Sequence, residues 1–198
     1  MSFSIAGKTA VVTGAANGVG LAVARHFVSR GANVIFADMD EEKLVKEIED
    51  LSDDDRGTTG YFSCDLREKL SVANLLSATI DRFDSVDILV NASRQMLASD
   101  PLNPDDDAVT ELLNQNLMTS LRLSQVFAKR MIKQAKAEAE EDEGAEDKPA
   151  GSIINISSIA ARRTQPELMA YSVSSAAVDQ LTRSMAVALA QYRIRVNA

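Results

Sequence analysis

Several residue types are scarce in this chain of 198 residues, and each scarcity excludes a class of protein. A single cysteine, Cys64, leaves no material for a disulfide-stapled domain or a multi-cysteine zinc site. Nine glycines and four prolines are too few for a collagen-like chain. No apolar run approaches the roughly 20 residues that cross a bilayer, and the first residues do not resemble a secretion signal. We therefore expect a soluble, cytoplasmic protein with no membrane partner.

Acidic residues outnumber basic ones, but the excess lies in one segment. The chain has 21 basic and 29 acidic residues, a net charge of −8. Seven of the acids lie between Glu138 and Asp147, and without them the count is 21 basic against 22 acidic. The rest of the protein is close to neutral and lacks the basic face that nucleic-acid binding requires. We expect no nucleic-acid partner.

Short apolar runs alternate with segments of helical periodicity along the chain. Strands are predicted at residues 9–13, 33–37, 59–64, 87–91, 152–157 and 194–196, and helices lie between them. Strands separated by helices imply crossover connections and a parallel sheet covered on both faces. The predicted fold class is α/β, a doubly wound parallel sheet of the Rossmann type with helices on both faces. One domain is expected to span residues 1–198.

Residues 136–150 interrupt this alternation. The segment is rich in Ala and Glu and ends in a stretch that contains Gly and Pro. It can extend the preceding helix, but the crowding of like charges favours a mobile surface insertion, which we expect here. A solvated excursion is the simpler interpretation, and an acidic docking site for a basic partner is the alternative.

A cluster of glycines follows the first predicted strand and opens the first helix. Gly14, Gly18 and Gly20 allow a tight turn and a close backbone approach, and the amino end of the helix adds free N–H groups. These features suit a diphosphate. No Lys-Ser/Thr pair follows, which disfavours a triphosphate-binding loop. Glycine clusters also serve ordinary turns, but the position between strand and helix favours a dinucleotide site.

The second predicted strand ends at an acid, Asp38, 18 residues after Gly20. An acid at this point accepts hydrogen bonds from an adenosine ribose and repels a 2′-phosphate. Asn17 and Met39, where a basic residue would attract that phosphate, are uncharged. The sequence therefore predicts NAD(H) in preference to NADP(H). The alternative is that Asp38 only stabilises the turn that follows it.

Six motifs follow one another in order along the chain. They are Thr13-Gly-x-x-x-Gly-x-Gly20, Cys64-Asp65-Leu66, Val90-Asn91-Ala92, Asn116, Ile156-Ser157-Ser158 and Tyr171. Each motif alone is weak, but in this order they resemble the short-chain dehydrogenase/reductase family over nearly the whole chain.

The resemblance implies a role for individual positions. Ser158 is expected to orient the substrate oxygen, Tyr171 to exchange a proton with it, and Asn116 to support a proton relay through a bound water. Ser157 is expected to be a neighbour of the catalytic serine. The residues expected to hold the cofactor are Thr13, Gly14, Asn17, Gly18, Val19, Gly20, Asp38, Asp65, Leu66, Asn91, Ala92 and Ser175. The implied partner is a small alcohol or carbonyl substrate, and the chemistry needs no metal.

One departure from the family pattern lies at the centre of this chemistry. The family's Tyr-x-x-x-Lys pair is Tyr171-Ser-Val-Ser-Ser175 here, so no ammonium lies one helical turn from the phenol. In the family, that lysine holds the nicotinamide ribose and lowers the pKa of the tyrosine. Ser175 can hydrogen-bond a ribose hydroxyl but carries no charge. Because losing a well-placed acid–base group costs about 10²–10⁴ in rate, we expect weak catalysis and a higher rate in Ser175→Lys.

Two further departures concern the cofactor cleft and the substrate side. Ser93 replaces a glycine of the family and is expected to narrow the cleft. Arg94 follows it and is a candidate for the missing positive charge, although the sequence does not say where its side chain points. The chain stops at Ala198, before the segments that set specificity in the family. We expect either a truncated chain or a substrate side that is built differently.

Two functions remain open from the sequence. The first is an NAD(H)-dependent oxidoreductase that interconverts a secondary alcohol and a ketone by hydride transfer. The alternative is a catalytically impaired nucleotide-binding or partner-regulating protein.

The resemblance also implies that the helix from Ala108 and the helix carrying Tyr171 form subunit contacts of a homodimer or homotetramer. The same apolar pattern arises if these helices only cover the sheet.

Overall fold

Six parallel strands form the centre of the molecule. The computed structural model describes residues 4–52, 55, 57–142, 148–163 and 165–198. The strands are β1 (Thr9–Thr13), β2 (Asn33–Asp38), β3 (Thr59–Ser63), β4 (Ile88–Asn91), β5 (Gly151–Asn155) and β6 (Ile194–Asn197). Their order is β3-β2-β1-β4-β5-β6, and every neighbouring pair is parallel. The order reverses between β1 and β4, which opens a crevice at the carboxyl ends of these strands.

Helices cover both faces of the sheet. They are α1 (Gly18–Ser29), α2 (Glu41–Glu49), α3 (Lys69–Phe83), α4 (Ala108–Leu112), α5 (Thr119–Glu141) and α6 (Met169–Ala190). Helix α2 begins where the Asp40 carboxylate accepts a hydrogen bond from the Lys43 N–H, as expected of an N-cap residue. The predicted doubly wound α/β fold with a single domain is confirmed, and the strand ends lie within about two residues of the expectations.

The central strands are apolar on both sides, and their alternate residues pack into two separate cores. On one face, Val12 and Phe36 pack with Leu44 under α1 and α2. On the other face, Val11 and Leu89 pack among residues of α3, α5 and α6. Burial on both faces explains why the strands read as continuous apolar runs, which is typical of parallel sheets. The candidate functional site lies at the carboxyl edge of the sheet, outside these two cores.

Helices α4 and α5 are continuous through a segment of π-helix, Leu113–Met118. A π-helical turn accommodates one extra residue and rotates the side chains that follow. Asn116 lies within it and is fully buried. The sequence predicted one long regular helix here and did not indicate this segment.

The expectation of a mobile insertion over residues 136–150 is wrong for its first part. Residues 136–141 continue α5 as a regular helix, which ends at Glu141. Alanine, lysine and glutamate are among the best helix formers, and their propensity outweighs the repulsion between exposed acids. Lys148 also pairs with Asp142 at 3.1 Å. Residues 143–147 lie outside the described residues. No helix in the described part of the chain is long and apolar enough to cross a membrane.

Candidate active site

The turn between β1 and α1 brings the backbone close to the end of β4. Gly14 has a φ of +66°, and a side chain there would place its Cβ 2.7 Å from the carbonyl oxygen of Ala92. A Cβ on Gly20 would collide with the carbonyl of Gly14. Gly18 has a φ of +55°, yet a Cβ there would meet no described atom within 4 Å. Two glycines therefore close the turn tightly, while the third faces open space.

The start of α1 has backbone donors without a side-chain cap. Asn17 is the N-cap residue, but its side chain makes no hydrogen bond to the first turn. Val19 follows in that turn and is 58% exposed. Free N–H groups and the positive end of the helix dipole favour an anion at this point.

The Thr13 side chain joins two neighbouring strand ends. It is fully buried, and its hydroxyl donates to the Val90 carbonyl at 3.3 Å. The same oxygen accepts hydrogen bonds from the N–H groups of Ala92 at 3.1 Å and Ser93 at 3.2 Å. The structure thus places Thr13 behind the turn, where it holds the loop after β4 in position.

Asp38 lies at the carboxyl end of β2, next to the glycine turn. One carboxylate oxygen accepts a hydrogen bond from the Ala16 N–H at 3.1 Å. The other accepts from the Met39 N–H at 2.7 Å and the Asp40 N–H at 3.2 Å. The side chain therefore stabilises its own turn and also orients the glycine turn beside it.

The segment after β3 combines a buried apolar residue with an exposed ion pair. Leu66 is 4% exposed, whereas Asp65 forms an ion pair with Arg67 at 2.6 Å. The hydrogen bond from Arg67 lowers the pKa of Asp65. Burial, with a smaller contribution from Asp65, raises the pKa of the Cys64 thiol to about 12. Cys64 is therefore an unreactive thiol at neutral pH.

A buried chain of polar side chains extends from β4 to α6. The Asn91 amide donates to Asn155 at 2.8 Å and to Ser124 at 3.1 Å. The Asn155 amide in turn donates to Thr182 at 2.9 Å. The side-chain oxygen of Asn91, Oδ1, is buried and has no hydrogen-bond partner among the described residues. The sequence analysis named Asn91 but missed the other three residues, whose only signal was a polar residue in an apolar strand or helix.

Asn116 clamps the loop after β4 to α6. Its side-chain oxygen accepts a hydrogen bond from the Gln95 N–H at 2.8 Å. Its amide donates to the Gln95 carbonyl at 2.9 Å and to Ser174 at 3.1 Å. All the polar groups of this side chain are thus engaged, and the role expected from the resemblance, support of a water relay, stays a prediction.

Ser158 and Tyr171 lie on the two segments that follow β5. The Ser158 hydroxyl oxygen accepts a hydrogen bond from the Ala160 N–H at 3.1 Å and so begins a short 3₁₀ helix. Tyr171 lies in the first turn of α6, half-buried against Leu97 and Val109. The neighbouring Ser157 hydroxyl points to α6 and donates to the Ser175 carbonyl at 3.4 Å. Because the oxygen of Ser158 acts as an acceptor, its own proton remains free for a ligand.

Arg94 reaches from the loop after β4 to α6. Its guanidinium donates to the Ile156 carbonyl at 2.5 Å and to the Ser175 hydroxyl at 2.9 Å. Its Cζ atom lies 5.4 Å from the centre of the Tyr171 ring. Ser175 itself is fully buried. The sequence raised Arg94 only as a candidate, and the structure shows where its side chain points.

This arrangement matches a known family over almost its whole length. Residues 8–198 match the family model of the short chain dehydrogenases. The chain belongs to the short-chain dehydrogenase family. This family consists of oxidoreductases, and the resemblance read from the six sequence motifs is confirmed.

Individual members of the short-chain dehydrogenase family are similar to the chain at low identity. An uncharacterized oxidoreductase of Thermotoga maritima is 32% identical over 190 residues, covering 96% of this chain and 68% of the relative. The L-fucose dehydrogenase of Oryctolagus cuniculus is 32% identical over 199 residues, covering 97% of this chain and 61% of the relative. A crystal structure of NAD⁺-bound xylitol dehydrogenase has a TM-score of 0.83 at 27% identity, covering 98% of this chain and 69% of that one. The chain thus spans about two thirds of the length of these short-chain dehydrogenases.

Two cavities border the segments of this short-chain dehydrogenase that carry Ser158 and the start of α6. One, of about 680 Å³, is lined by Ser157, Ser158 and polar residues of α6 that include Asp179. The other, of about 580 Å³, lies at the start of α6 and is mostly apolar, although it contains the buried, unpartnered hydroxyl of Ser172. Either has the volume of a small-molecule pocket. In the described part of the chain, no cluster of His, Cys, Asp or Glu is placed to hold a metal ion.

Proposed function

We propose that this protein is an NAD(H)-dependent oxidoreductase that interconverts a secondary alcohol and a ketone. One observation carries the proposal. The loop after β4 touches the glycine turn through Ala92, next to Gly14, and touches the tyrosine helix through Arg94, which contacts Ser175. A single short loop therefore connects a diphosphate-type turn to a phenol that can exchange a proton.

The residues at the switch point between β1 and β4 fit a dinucleotide. The open space at Gly18 and the uncapped N–H groups of α1 suit a diphosphate, and the unpartnered oxygen of Asn91 leaves an acceptor free beside the crevice. Gly14, Gly20 and Thr13 would shape this cradle. A bound nicotinamide would supply or accept the hydride.

Asp38 supports NAD(H) in preference to NADP(H). Its carboxylate is fixed beside the glycine turn by the Ala16 N–H, at the end of β2 where an adenosine ribose is held in this fold. A carboxylate at that point accepts hydrogen bonds from ribose hydroxyls and repels a 2′-phosphate. The similarity to an NAD⁺-bound xylitol dehydrogenase is in agreement with this preference.

The proton chemistry belongs to Tyr171 and Ser158. In the reducing direction the phenol of Tyr171 would give its proton to the carbonyl oxygen as that oxygen gains charge, and in the oxidising direction the phenolate would take it back. The free proton of Ser158 would hydrogen-bond the same oxygen and orient it. Since Ser175 carries no charge, we expect turnover to be slow.

Cofactor binding and turnover test the proposal separately. In fluorescence titrations, NADH is expected to bind at least tenfold more tightly than NADPH, and Asp38→Ala is expected to reduce this ratio. Oxidation of NADH with a panel of ketones is expected to be slow but measurable, and Tyr171→Phe is expected to lower it by at least about 10²-fold while NADH still binds. Failure of NADH to bind would refute the proposal.

A nucleotide-binding protein with little catalysis is the second candidate, favoured by the uncharged and fully buried Ser175. It predicts NADH binding without a rate that depends on Tyr171.

We also propose that α5 and α6 form the contacts of a homodimer or homotetramer. Val173 and Val187 of α6 support this, because they are 44% and 81% exposed.

A further inference from the structure

Arg94 carries a partly buried charge that forms no ion pair with a described residue. Among the described residues no carboxylate lies within ion-pair distance of it, and its Nε atom is buried without a partner. Desolvation by burial lowers the pKa of Arg94, although a guanidinium remains protonated in proteins. The guanidinium donates hydrogen bonds to a carbonyl and a hydroxyl, neither of which carries a charge. Its positive charge therefore remains available to a neighbouring group.

The nearest titratable group is the phenol of Tyr171. The guanidinium lies over its ring at 5.4 Å from Cζ to the ring centre, and Ser175, one helical turn after Tyr171, receives a hydrogen bond from the same guanidinium. A phenol that exchanges protons near neutral pH needs a positive charge close by, because its ordinary pKa is about 10. Arg94 satisfies that requirement from a different element of the fold.

We propose that Arg94 is the positioning cation of the proton-transfer site and stabilises negative charge on the oxygen of Tyr171. The cation enters from the loop after β4, and Ser175 serves as its hydrogen-bond acceptor on α6. This inference deepens the proposed function, on which its catalytic meaning rests. The electrostatic claim itself concerns only residues of this chain.

Other described charged groups lie around Arg94 and Tyr171 but do not contact the Tyr171 ring. Asp179 lies on α6 beyond Ser175, attracts Arg94, and is itself within 4.0 Å of Arg162 and Arg183. Acids on the neighbouring elements are exposed. The charged residues on α6 and on the segments packed against it include Arg94, Glu111, Arg162, Glu167, Asp179 and Arg183. Of these, Arg94 alone is in contact with the Tyr171 ring among the described residues.

Ultraviolet titration of the phenols in the protein without cofactor tests the electrostatic claim. The chain has three tyrosines, and subtraction of the Tyr171→Phe curve isolates Tyr171 from Tyr61 and Tyr192. Arg94→Met is expected to move the ionisation curve of Tyr171 to higher pH, and Arg94→Lys to move it less, because lysine keeps the charge. Arg30→Met, an exposed arginine at the far end of α1, is the matched control and is expected to leave the curve unchanged.

Relocation of the charge gives a second test. In Ser175→Lys the ammonium group and the Arg94 guanidinium would lie at about hydrogen-bond distance from each other, away from solvent. Because the two positive charges repel, we expect the melting temperature of this variant to fall by about 5 °C. The presence of Arg94 thus reverses the expectation, drawn from the sequence, that this substitution improves the site. The double variant Arg94→Met/Ser175→Lys is expected to recover both the melting temperature and the wild-type phenol titration.

Several outcomes would overturn the inference. They are an unchanged titration of Tyr171 in Arg94→Met, or a Ser175→Lys variant at least as stable as the double variant. Tighter NADH binding in Arg94→Met without a change in the titration would show that the guanidinium only obstructs the cleft. Because the titration needs no cofactor, a shifted curve together with absent NADH binding would instead refute the proposed function and leave this inference intact.

Discussion

Several polar side chains in this site hold backbone groups of a neighbouring segment. Thr13 binds the two N–H groups that follow Asn91, Asp38 binds the Ala16 N–H, and Asn116 binds both backbone groups of Gln95. Each contact joins segments that are at least 21 residues apart in the chain. Single residues therefore set the shape of the crevice before any ligand enters it.

Thr13 offers the simplest measurement of such a contact. Thr13→Val keeps the shape and strand preference of the side chain but leaves the N–H groups of Ala92 and Ser93 without their acceptor. An unmade hydrogen bond in a partly buried position costs about 1–3 kcal/mol, so we expect the free energy of unfolding in urea to fall by about 2 kcal/mol.

Thr79→Val is the matched control. Thr79 is equally buried, but its hydroxyl only donates to the Leu75 carbonyl one turn earlier in its own helix, an oxygen that the helix already uses. We expect a loss well below that of Thr13→Val. Equal losses would mean that the contact between β1 and the loop after β4 adds no stability.

The positions of the site residues could be predicted from the sequence, but not the direction of the long side chains. Gly14 and Asp38 lie at strand ends, which local patterns reveal, whereas Tyr171 was identified through the family resemblance. Arg94 contacts a residue 81 positions away, and its many rotamers depend on the packing of three segments. Its role at the site therefore appears only when those segments are in place.

Elements differ in how clearly their sequences mark them. The central strands β1, β2, β4 and β5 are short apolar runs rich in Val and Ile, and they were predicted from that pattern. The π-helical segment was missed because one extra residue leaves the apolar pattern of a long helix almost unchanged. The helical start of the acidic segment was misjudged because local propensity outweighed charge repulsion.

The outer face of α6 provides a prediction for assembly. Val187 is 81% exposed, and an apolar face of this kind is expected to be covered by a second copy of the chain. Light scattering after size exclusion is expected to show a dimer or tetramer for the wild type and a smaller species for Val187→Glu. Leu70→Glu, at a residue 71% exposed on α3, is the control and is expected to leave the assembly unchanged. A monomeric wild type at tens of micromolar would contradict the prediction.

At the scale of the whole molecule, strand order determines where the chemistry lies. The strand order reverses between β1 and β4, and the glycine turn, the loop after β4 and the start of α6 all meet at the carboxyl edge beside that point. The parallel sheet with helices on both faces could be predicted from the alternation of strands and helices, but the order of the strands was not part of that prediction. The buried chain of Asn91, Asn155 and Thr182 could not be predicted, because it depends on which strands become neighbours.

Ligand binding at this crevice should stabilise the whole fold. A ligand that binds only the folded state at about 100 times its dissociation constant adds about 2.7 kcal/mol. For a chain of this size that corresponds to a rise of about 5–10 °C in melting temperature. We expect this rise with NADH in differential scanning fluorimetry and a clearly smaller one with NADPH at the same concentration.

Gly18 allows the origin of that stabilisation to be located. Its φ of +55° is one that Asn and Asp adopt more readily than other side chains, and a Cβ there meets no described atom, so Gly18→Asn and Gly18→Asp should fold with similar stability. The two variants differ only in charge at the place where the diphosphate is proposed to bind. Gly18→Asp is therefore expected to lose most of the NADH-dependent rise, because its carboxylate repels the diphosphate, whereas Gly18→Asn keeps part of it. The same rise in both variants would mean that the dinucleotide binds away from the glycine turn.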